Sequence, residues 1–304
     1  RATSLRVRQL GDQEFDITTT VQNMTKYAQM VSDPLSIRYH LERALYLAKS
    51  GRPGPCWLDI PHNIQAAMVD EAVLTGYSPT DDLAESPPAV SEVTARSVLA
   101  HIEATQRPVM YIGSGIRLSQ GHSVFMDLLE RLQIPVVTSF NSIDSVPTDH
   151  PLHVGRAGAN GDRAGNFAVQ NADLLLILGC QLSIRQIGYN YNAFAREAFK
   201  IMVDIDPLEL HKHTIKIDMP VHADVTLFMK ALLAVNKTVP QKKEWIDWCA
   251  KRKARYPVVQ KDYWTRKDLV NPYCFIEALG KRLADDQVTV FGNGTACVSG
   301  LQAM

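Results

Sequence analysis

The chain has 304 residues, and its 32 basic residues are balanced by 32 acidic ones, so the formal net charge is zero. This balance gives no indication of a polyanionic partner such as nucleic acid, and no apolar run approaches the roughly 20 residues that cross a bilayer. The five cysteines are scattered and never in CxxC spacing, which argues against a disulfide framework or a zinc site and favours a reducing compartment such as the cytoplasm.

The first strong pattern is a capped helix followed by a strand. Asp33 can accept from the free amides of a helix start, and Pro34 needs no donor at the first helical position. Gly51 is predicted to end the helix in the left-handed conformation, and residues 56–61 (CWLDIP) to form a buried strand of a parallel sheet. Apolar residues at helical spacing predict one shared face, made of Ile37, Leu41, Ala44, Leu45 and Ala48. Taken alone, this is a helix–strand unit of any α/β protein.

An alternating pattern follows a predicted linker. Residues 70–91 are rich in Asp, Glu, Pro, Ser and Thr, and their prolines prevent regular structure. Helices then alternate with short apolar strands between about residues 90 and 235. The predicted strands are residues 108–113, 134–138, 173–179 and 200–206, and the predicted helices lie around residues 98–102, 124–132, 163–171 and 224–235. This alternation predicts an α/β fold with a complete Rossmann-like domain, whose parallel sheet is covered on both faces.

The last part of the chain contains two further helices and a polar turn. After a linker at residues 236–241, an amphipathic helix continues into a basic run, KRKAR, which we interpret as a solvated helix face because the total charge is balanced. Asn271 and Pro272 begin another helix, and a predicted strand at residues 288–291 leads into the turn GNGTA. The nine histidines show no metal-ligand spacing, so we assign no metal to this chain.

Residues 50–61, SGRPGPCWLDIP, resemble the end of the pyrimidine-binding domain in thiamine diphosphate (ThDP) enzymes of the acetolactate synthase type. Residues 8–17 (RQLGDQEFDI) and 23–27 (NMTKY) resemble the later part of the same domain. The resemblance implies an internal fragment with five parts. These are the end of a pyrimidine-binding domain (1–69), a linker (70–91), the Rossmann-like central domain (92–236), a linker with a helix (237–270) and the start of a diphosphate-binding domain (271–304).

The family resemblance also implies an activity. The parent protein would decarboxylate a 2-oxo acid such as pyruvate on ThDP and transfer the resulting carbanion to a second 2-oxo acid, as in the acetolactate synthesis that serves branched-chain amino acid biosynthesis. The family's catalytic glutamate and its Mg²⁺-binding GDG…N motif are expected outside this chain, which alone would be inactive. The implied partners are a second copy in a homodimer or homotetramer, small 2-oxo acids and a regulatory small subunit.

Two alternatives remain open at this point. One is a ThDP-dependent decarboxylase or carboligase that acts on another 2-oxo acid. The other, of a different class, is a nucleotide-binding regulatory domain without catalysis, built on the Rossmann-like core.

The candidate cofactor residues follow the predicted strands, where open α/β sheets bind ligands. In FAD-containing relatives these loops hold the flavin, so FAD is a further candidate cofactor, with ADP or an empty crevice as alternatives. The resemblance maps this role onto Gly113, Ser114, Gly115, Thr138, Ser139, Phe140, Gly155, Gly158, Gly179, Arg185, Asp204, Ile205, Asp206 and Asp224. It places Gly294, Thr295 and Ala296 at the ThDP diphosphate and Lys26 at the substrate entrance.

Two of these loops depart from the family pattern. Arg156-Ala157 stands where the family has Met-His, and residues 181–184 (QLSI) stand where it has Arg-Phe-Asp-Asp. The glycines around them are kept, so we expect the loops to keep the shape they have in the family. The replaced side chains leave open whether a flavin binds and which substrate is used.

Overall fold

The computed structural model describes residues 11, 14–82, 87–284 and 286–304, so much of the family-like run at residues 8–17 and the middle of the predicted linker at 70–91 lie outside the described residues. The chain divides into two compact units at the boundary between Ser86 and Pro87. The finer division of each unit stays a prediction. Within the described ranges, no helix is long and apolar enough to cross a membrane.

The first unit contains a two-stranded parallel sheet. Its elements are α1 (Ile17–Val21), β1 (Tyr27–Met30), α2 (Ile37–Lys49), β2 (Cys56–Asp59) and the single-turn helix α3 (His62–Gln65). β1 and β2 pair in parallel register from Tyr27 opposite Cys56 to Met30 opposite Asp59. Strand β1 is too short and polar for the sequence to have predicted it.

The predicted ends of α2 are confirmed, whereas the predicted burial of the strand at residues 56–61 is wrong. Asp33 accepts from the Leu35 N–H at 3.0 Å in the 3₁₀ turn before the helix, and Gly51 has φ +54°. However, Leu41 and Leu45 are 50% and 59% exposed, and Trp57 in β2 is 43% exposed. Periodicity shows which side chains share a face, whereas burial requires another layer of structure, which the described part of this unit does not provide there.

The second unit is built on a six-stranded parallel sheet. Its strands are β3 (Pro108–Ile112), β4 (Val136–Thr138), β5 (His153–Arg156), β6 (Leu174–Leu178), β7 (Phe199–Asp204) and β8 (Met219–His222). They are ordered β5-β4-β3-β6-β7-β8, and every neighbouring pair is parallel. This confirms the predicted Rossmann-like α/β architecture. The strand order reverses between β3 and β6, the position at which such sheets bind ligands.

Helices cover both faces of this sheet. The helices of this unit are α4 (Glu92–Ala104), α5 (Gly115–Leu118), α6 (His122–Leu132), α7 (Arg163–Asn171), α8 (Ile184–Ile187), α9 (Pro207–Leu210), α10 (Val225–Ala234), α11 (Lys243–Arg255), α12 (Pro272–Gly280) and α13 (Thr295–Ala303). Because strand side chains alternate between faces, Met110 and Ile112 of β3 enter the core under α4, α6 and α10, whereas Val109 and Tyr111 enter the core under α7 and α11.

Two predictions for the C-terminal part are corrected by the structure. Residues 288–291 form no strand, and Val288 and Val290 are 80% and 89% exposed. A strand needs a neighbour for its backbone hydrogen bonds, and the described residues place none beside this segment. The basic end of α11 is only partly a solvated face, since the Lys253 ammonium donates to the His153 carbonyl at 2.7 Å.

Candidate functional site

A cavity of about 570 Å³ opens at the carboxyl edge of the sheet in the second unit. Its walls come from the loops after β4 and β5, from the start of α8 and from the turn before α13. Of the residues predicted for the site, Phe140, Arg185 and Gly294 line this cavity. The structure therefore joins loops that lie more than 100 residues apart in the chain, because each follows the carboxyl end of a strand or begins a helix.

The cavity also contains residues that were not predicted for the site. They include Arg156, Ala157, Asn160, Ser183, Gln186 and Cys297. Arg156 had a detectable signal, because it replaces an apolar residue of the family pattern inside a loop whose glycines are kept. The asparagine, glutamine and serine residues of the cavity could not have been recognised in the sequence, since single polar residues in loops are common.

The loop that carries Arg156 is held by the carboxylate of Asp162. This carboxylate accepts from the Arg156 backbone N–H at 2.8 Å and from the Gly165 N–H at 2.7 Å, where it caps α7. Gly155 has φ +153°, and a Cβ there would lie 2.3 Å from Asp162 Oδ1. Burial raises the pKa of Asp162, although these two N–H groups and the Arg156 charge oppose that shift. Asp162 therefore orients the loop, while the Arg156 guanidinium stays outside this contact.

A second backbone contact fixes the loop against the start of α8. The Ala159 N–H donates to the Arg185 carbonyl at 2.7 Å. Gly158 has φ +114°, and a Cβ there would lie 2.8 Å from the same carbonyl oxygen. The Asn166 side chain accepts from the Gly158 N–H at 2.9 Å and donates to its carbonyl at 3.0 Å. Gly158 thus lets the segments that carry Arg156 and Arg185 meet.

The loop after β3, predicted to bind a cofactor, makes backbone contacts with the turn after β6. The N–H groups of Gly113 and Gly115 donate to the carbonyls of Leu178 and Gly179, each at 3.0 Å. A Cβ on Gly113 would lie 2.3 Å from the Gly179 oxygen, and Gly179 itself has φ +54°. These glycines let the turns after β3 and β6 pack backbone against backbone. A contact of Ser114 with a cofactor stays a prediction.

The acidic residues predicted to bind a flavin take part in local structure. Asp206 caps α9 by accepting from the Leu208 N–H, and Asp224 caps α10 by accepting from the Leu227 N–H, both at 2.9 Å. Asp204 accepts from the Asp206 N–H at 2.9 Å. None of them lines the cavity, nor does the intervening Ile205. Their role toward a cofactor stays a prediction.

Several buried polar atoms near this edge lack a partner among the described residues. They are Thr138 Oγ1, Ser145 Oγ, His153 Nε2 and Arg156 Nε. Buried polar atoms are nearly always hydrogen-bonded. Ser139, in contrast, is satisfied because its N–H donates to the Ile112 carbonyl at 2.9 Å. Of the unpartnered atoms, only Arg156 Nε belongs to a residue that lines the cavity.

The two predicted contacts with ThDP and substrate differ in how far the structure supports them. Gly294 has φ +80° directly before α13, so the turn has the shape that the GNGTA motif predicted, and Thr295 and Ala296 begin the helix. Lys26, in the first unit, donates to the carbonyls of Ser50 and Arg52 at 2.6 and 3.1 Å. Burial lowers the pKa of Lys26. These contacts give Lys26 a structural role, and its place at a substrate entrance stays a prediction.

The described residues contain no group of three His, Cys, Asp or Glu side chains that could hold a metal ion. This concerns only the parts of the chain given above and makes no statement about Mg²⁺ in the whole protein.

Comparison with known proteins identifies relatives along most of the chain. Residues 95–232 match the family "Thiamine pyrophosphate enzyme, central domain". The chain is 32% identical to the acetolactate synthase large subunit of Corynebacterium glutamicum, over 93% of the chain and 45% of that protein. It is 30% identical to the large subunit of Lactococcus lactis, over 91% of the chain and 47% of that protein. It is 32% identical to the isozyme 1 large subunit of Escherichia coli, over 81% of the chain and 42% of that protein.

The chain therefore spans a little under half the length of these relatives. The family match falls on the six-stranded sheet and its helices, which is the part of the fold that carries most of the cavity wall. The central part of the chain is thus similar to the central domain of thiamine pyrophosphate enzymes, and nearly all of its length is similar to acetolactate synthase large subunits.

Proposed function

We propose that the whole protein containing this chain is a ThDP-dependent enzyme that decarboxylates a 2-oxo acid and transfers the remaining fragment to a second 2-oxo acid. The observation that carries this proposal is the cavity, in which the turn before α13 faces the loops after β4 and β5. The relation to acetolactate synthase large subunits supports pyruvate as the first substrate to test.

The turn before α13 fits the diphosphate of ThDP, the cofactor that supplies an electron sink for the decarboxylation. Gly294 adds no side chain at φ +80°, and the first amides of a helix have no acceptor within it. We propose that Thr295 and Ala296 bind the diphosphate through these backbone groups, and that Gly294, whose N–H donates to Asn293 Oδ1 at 2.8 Å, lets the diphosphate approach because it has no side chain. No residue of this chain is assigned to proton transfer, and the Mg²⁺ ligands are expected elsewhere in the whole protein.

The residues fit a flavin less well than they fit a diphosphate. Only Phe140 and Arg185 of the residues predicted for FAD line the cavity, and the Gly113 and Gly115 amides already donate to the turn after β6. We therefore keep FAD as a candidate cofactor. An absorbance spectrum of the purified whole protein tests whether a flavin is bound. A flavin band supports FAD, and a colourless active protein contradicts it.

We propose a homodimer or homotetramer in the cytoplasm, with a regulatory small subunit as a further partner. The support for the small subunit is that several relatives are named large subunits. The support for the compartment is that all five cysteines are free thiols in the structure.

The test is an assay of the purified whole protein with pyruvate, ThDP and Mg²⁺. We expect pyruvate consumption that requires ThDP, with acetolactate as the product. Release of acetaldehyde in place of acetolactate would support the decarboxylase alternative. Absence of ThDP-dependent CO₂ release from any 2-oxo acid would contradict the proposal and leave the regulatory nucleotide-binding domain as the remaining candidate.

A further inference from the structure

The cavity at the carboxyl edge carries two positive charges and no negative one. Arg156 and Arg185 both line it, and no Asp or Glu does. Its other polar side chains are neutral amides, a hydroxyl and a thiol. No ion pair within the described residues involves either arginine. A cavity of this kind favours an anionic ligand, because none of the described carboxylates lines it.

Arg156 is the more unusual of the two arginines. The residue is only 4% exposed, yet its Nε has no partner among the described residues. Within the same residues its Nη2 makes two long contacts, to Thr148 Oγ1 at 3.3 Å and to the Met304 carbonyl at 3.4 Å. Burial lowers the pKa of the Arg156 guanidinium, and the charge of the buried Asp162 carboxylate opposes that shift only in part. A ligand oxyanion would add counter-charge and accept from the unpartnered donor of the guanidinium.

The position of the acidic residues indicates on which side of Arg156 an anion would bind. Arg156 also borders a neighbouring cavity of about 420 Å³, which contains the carboxylates of Asp162 and Glu277 together with Lys253. The two carboxylates there would repel an anion. The cavity shared with Arg185 has no such group, so an anion is favoured on that side.

Backbone contacts join the two segments that carry these arginines. Gly158, two residues after Arg156, packs against the Arg185 carbonyl, and the Ala159 N–H donates to that oxygen. Both cations therefore lie on connected, preorganised segments, and a ligand with two anionic groups gains from both without the cost of ordering a loop. At about 570 Å³ the cavity lies within the range of sites for ligands much larger than pyruvate.

We infer that the substrate bound in this cavity is a 2-oxo acid with a second anionic group, a carboxylate or a phosphate, and that Arg156 and Arg185 each bind one of its anionic groups. This inference rests on the proposed 2-oxo acid chemistry and specifies its substrate class.

The test compares unreactive dianions with monoanions of the same length, so that binding is measured without turnover. Calorimetric titration of the whole protein, loaded with ThDP and Mg²⁺, uses succinate, glutarate and adipate against butyrate, pentanoate and hexanoate. 3-Phosphoglycerate against glycerate distinguishes a phosphate from a carboxylate as the second group. We expect at least one dianion to bind about 10-fold or more tighter than its matched monoanion, as expected for one added hydrogen-bonded charge pair.

The variants Arg156→Met and Arg185→Met should each reduce that preference to about 2-fold or less, since only one cation remains. The matched control is Arg196→Met, because the Arg196 side chain is 74% exposed and lies outside the cavity; it should keep the full preference. A circular dichroism melt confirms that each variant is folded. The inference is overturned if no dianion is preferred by the wild-type protein, or if the preference survives in Arg156→Met.

A separate measurement of CO₂ release from 2-oxoglutarate and 2-oxopentanoate distinguishes the two proposals. Release without any dianion preference in binding contradicts the substrate class alone. Absence of release from every 2-oxo acid contradicts the proposed function, whatever the binding ratios are.

Discussion

Substitution of Gly113 by alanine tests whether backbone packing between the turns after β3 and β6 stabilises the central domain. The new Cβ would lie 2.3 Å from the Gly179 oxygen and 2.6 Å from the Cys180 Cα. Both of these neighbours are backbone atoms, which cannot rotate away as the end of a side chain can. The turns would therefore have to separate, and the hydrogen bonds from the Gly113 and Gly115 N–H groups would lengthen or break.

The size of the effect follows from these contacts. Overpacking a tightly packed site costs about 1–3 kcal/mol, and each of the two lost hydrogen bonds costs about 1 kcal/mol. We therefore expect Gly113→Ala to lower the free energy of unfolding by about 3–5 kcal/mol, out of roughly 5–15 kcal/mol for a typical domain.

Two other glycines provide graded controls. Gly188 has φ +78° and ψ −178° with no atom within 4 Å of a built Cβ, so Gly188→Ala introduces backbone strain alone, about 1–3 kcal/mol. Gly292 has neither a positive φ nor a neighbour within 4 Å, so Gly292→Ala should change stability by no more than about 0.5 kcal/mol.

The assay is urea unfolding followed by tryptophan fluorescence, since Trp245 and Trp248 stack against each other in this unit. The expected order of destabilisation is Gly113→Ala, then Gly188→Ala, then Gly292→Ala. If Gly113→Ala is as stable as Gly292→Ala, the close contact between the two turns is refuted.

Two further predictions concern buried groups of the same unit. Burial lowers the pKa of His153 from its usual 6.5 to about 4, so the unfolded state binds more protons between these values and stability falls as pH drops from about 6.5 to 4, by up to about 3 kcal/mol. Urea unfolding at pH 7.5 and 5 should show a smaller pH effect in His153→Asn than in wild type, whereas the exposed control His213→Asn should behave as wild type does. Trp245→Phe removes the donor to the Pro108 carbonyl, at 3.1 Å in a buried contact, and should cost about 1–3 kcal/mol. The half-exposed control Trp264→Phe should cost much less, and equal losses in the two variants would contradict the role of that hydrogen bond.

The sequence predicted the central strands of the sheet well, because their burial on both faces requires nearly continuous apolar residues. β3 and β6 are fully buried along their whole length and were predicted from that pattern. The edge strands β5 and β8 were missed. Residues 153–156 (HVGR) and 219–222 (MPVH) are short and partly polar, and they become strands only through hydrogen bonds to β4 and β7.

The sequence likewise predicted only part of the candidate site. The loop glycines and the positions after each strand could be read from the sequence, because turns and helix ends depend on local conformation. The sequence could not show that the Gly113 and Gly115 amides already donate to the turn after β6, or that Asp206 and Asp224 cap helices. Those contacts decide which predicted residues are still available to a ligand.

The sequence by itself determined the resemblance to thiamine diphosphate enzymes, the α/β class and the local signals, such as the Asp33 cap and the left-handed Gly51, because each depends on residues close together in the chain. Only the tertiary structure decided that Arg156 is buried with an unpartnered Nε beside the segment that carries Arg185. Burial and the neutralisation of charge depend on residues from distant segments, and no local pattern specifies them.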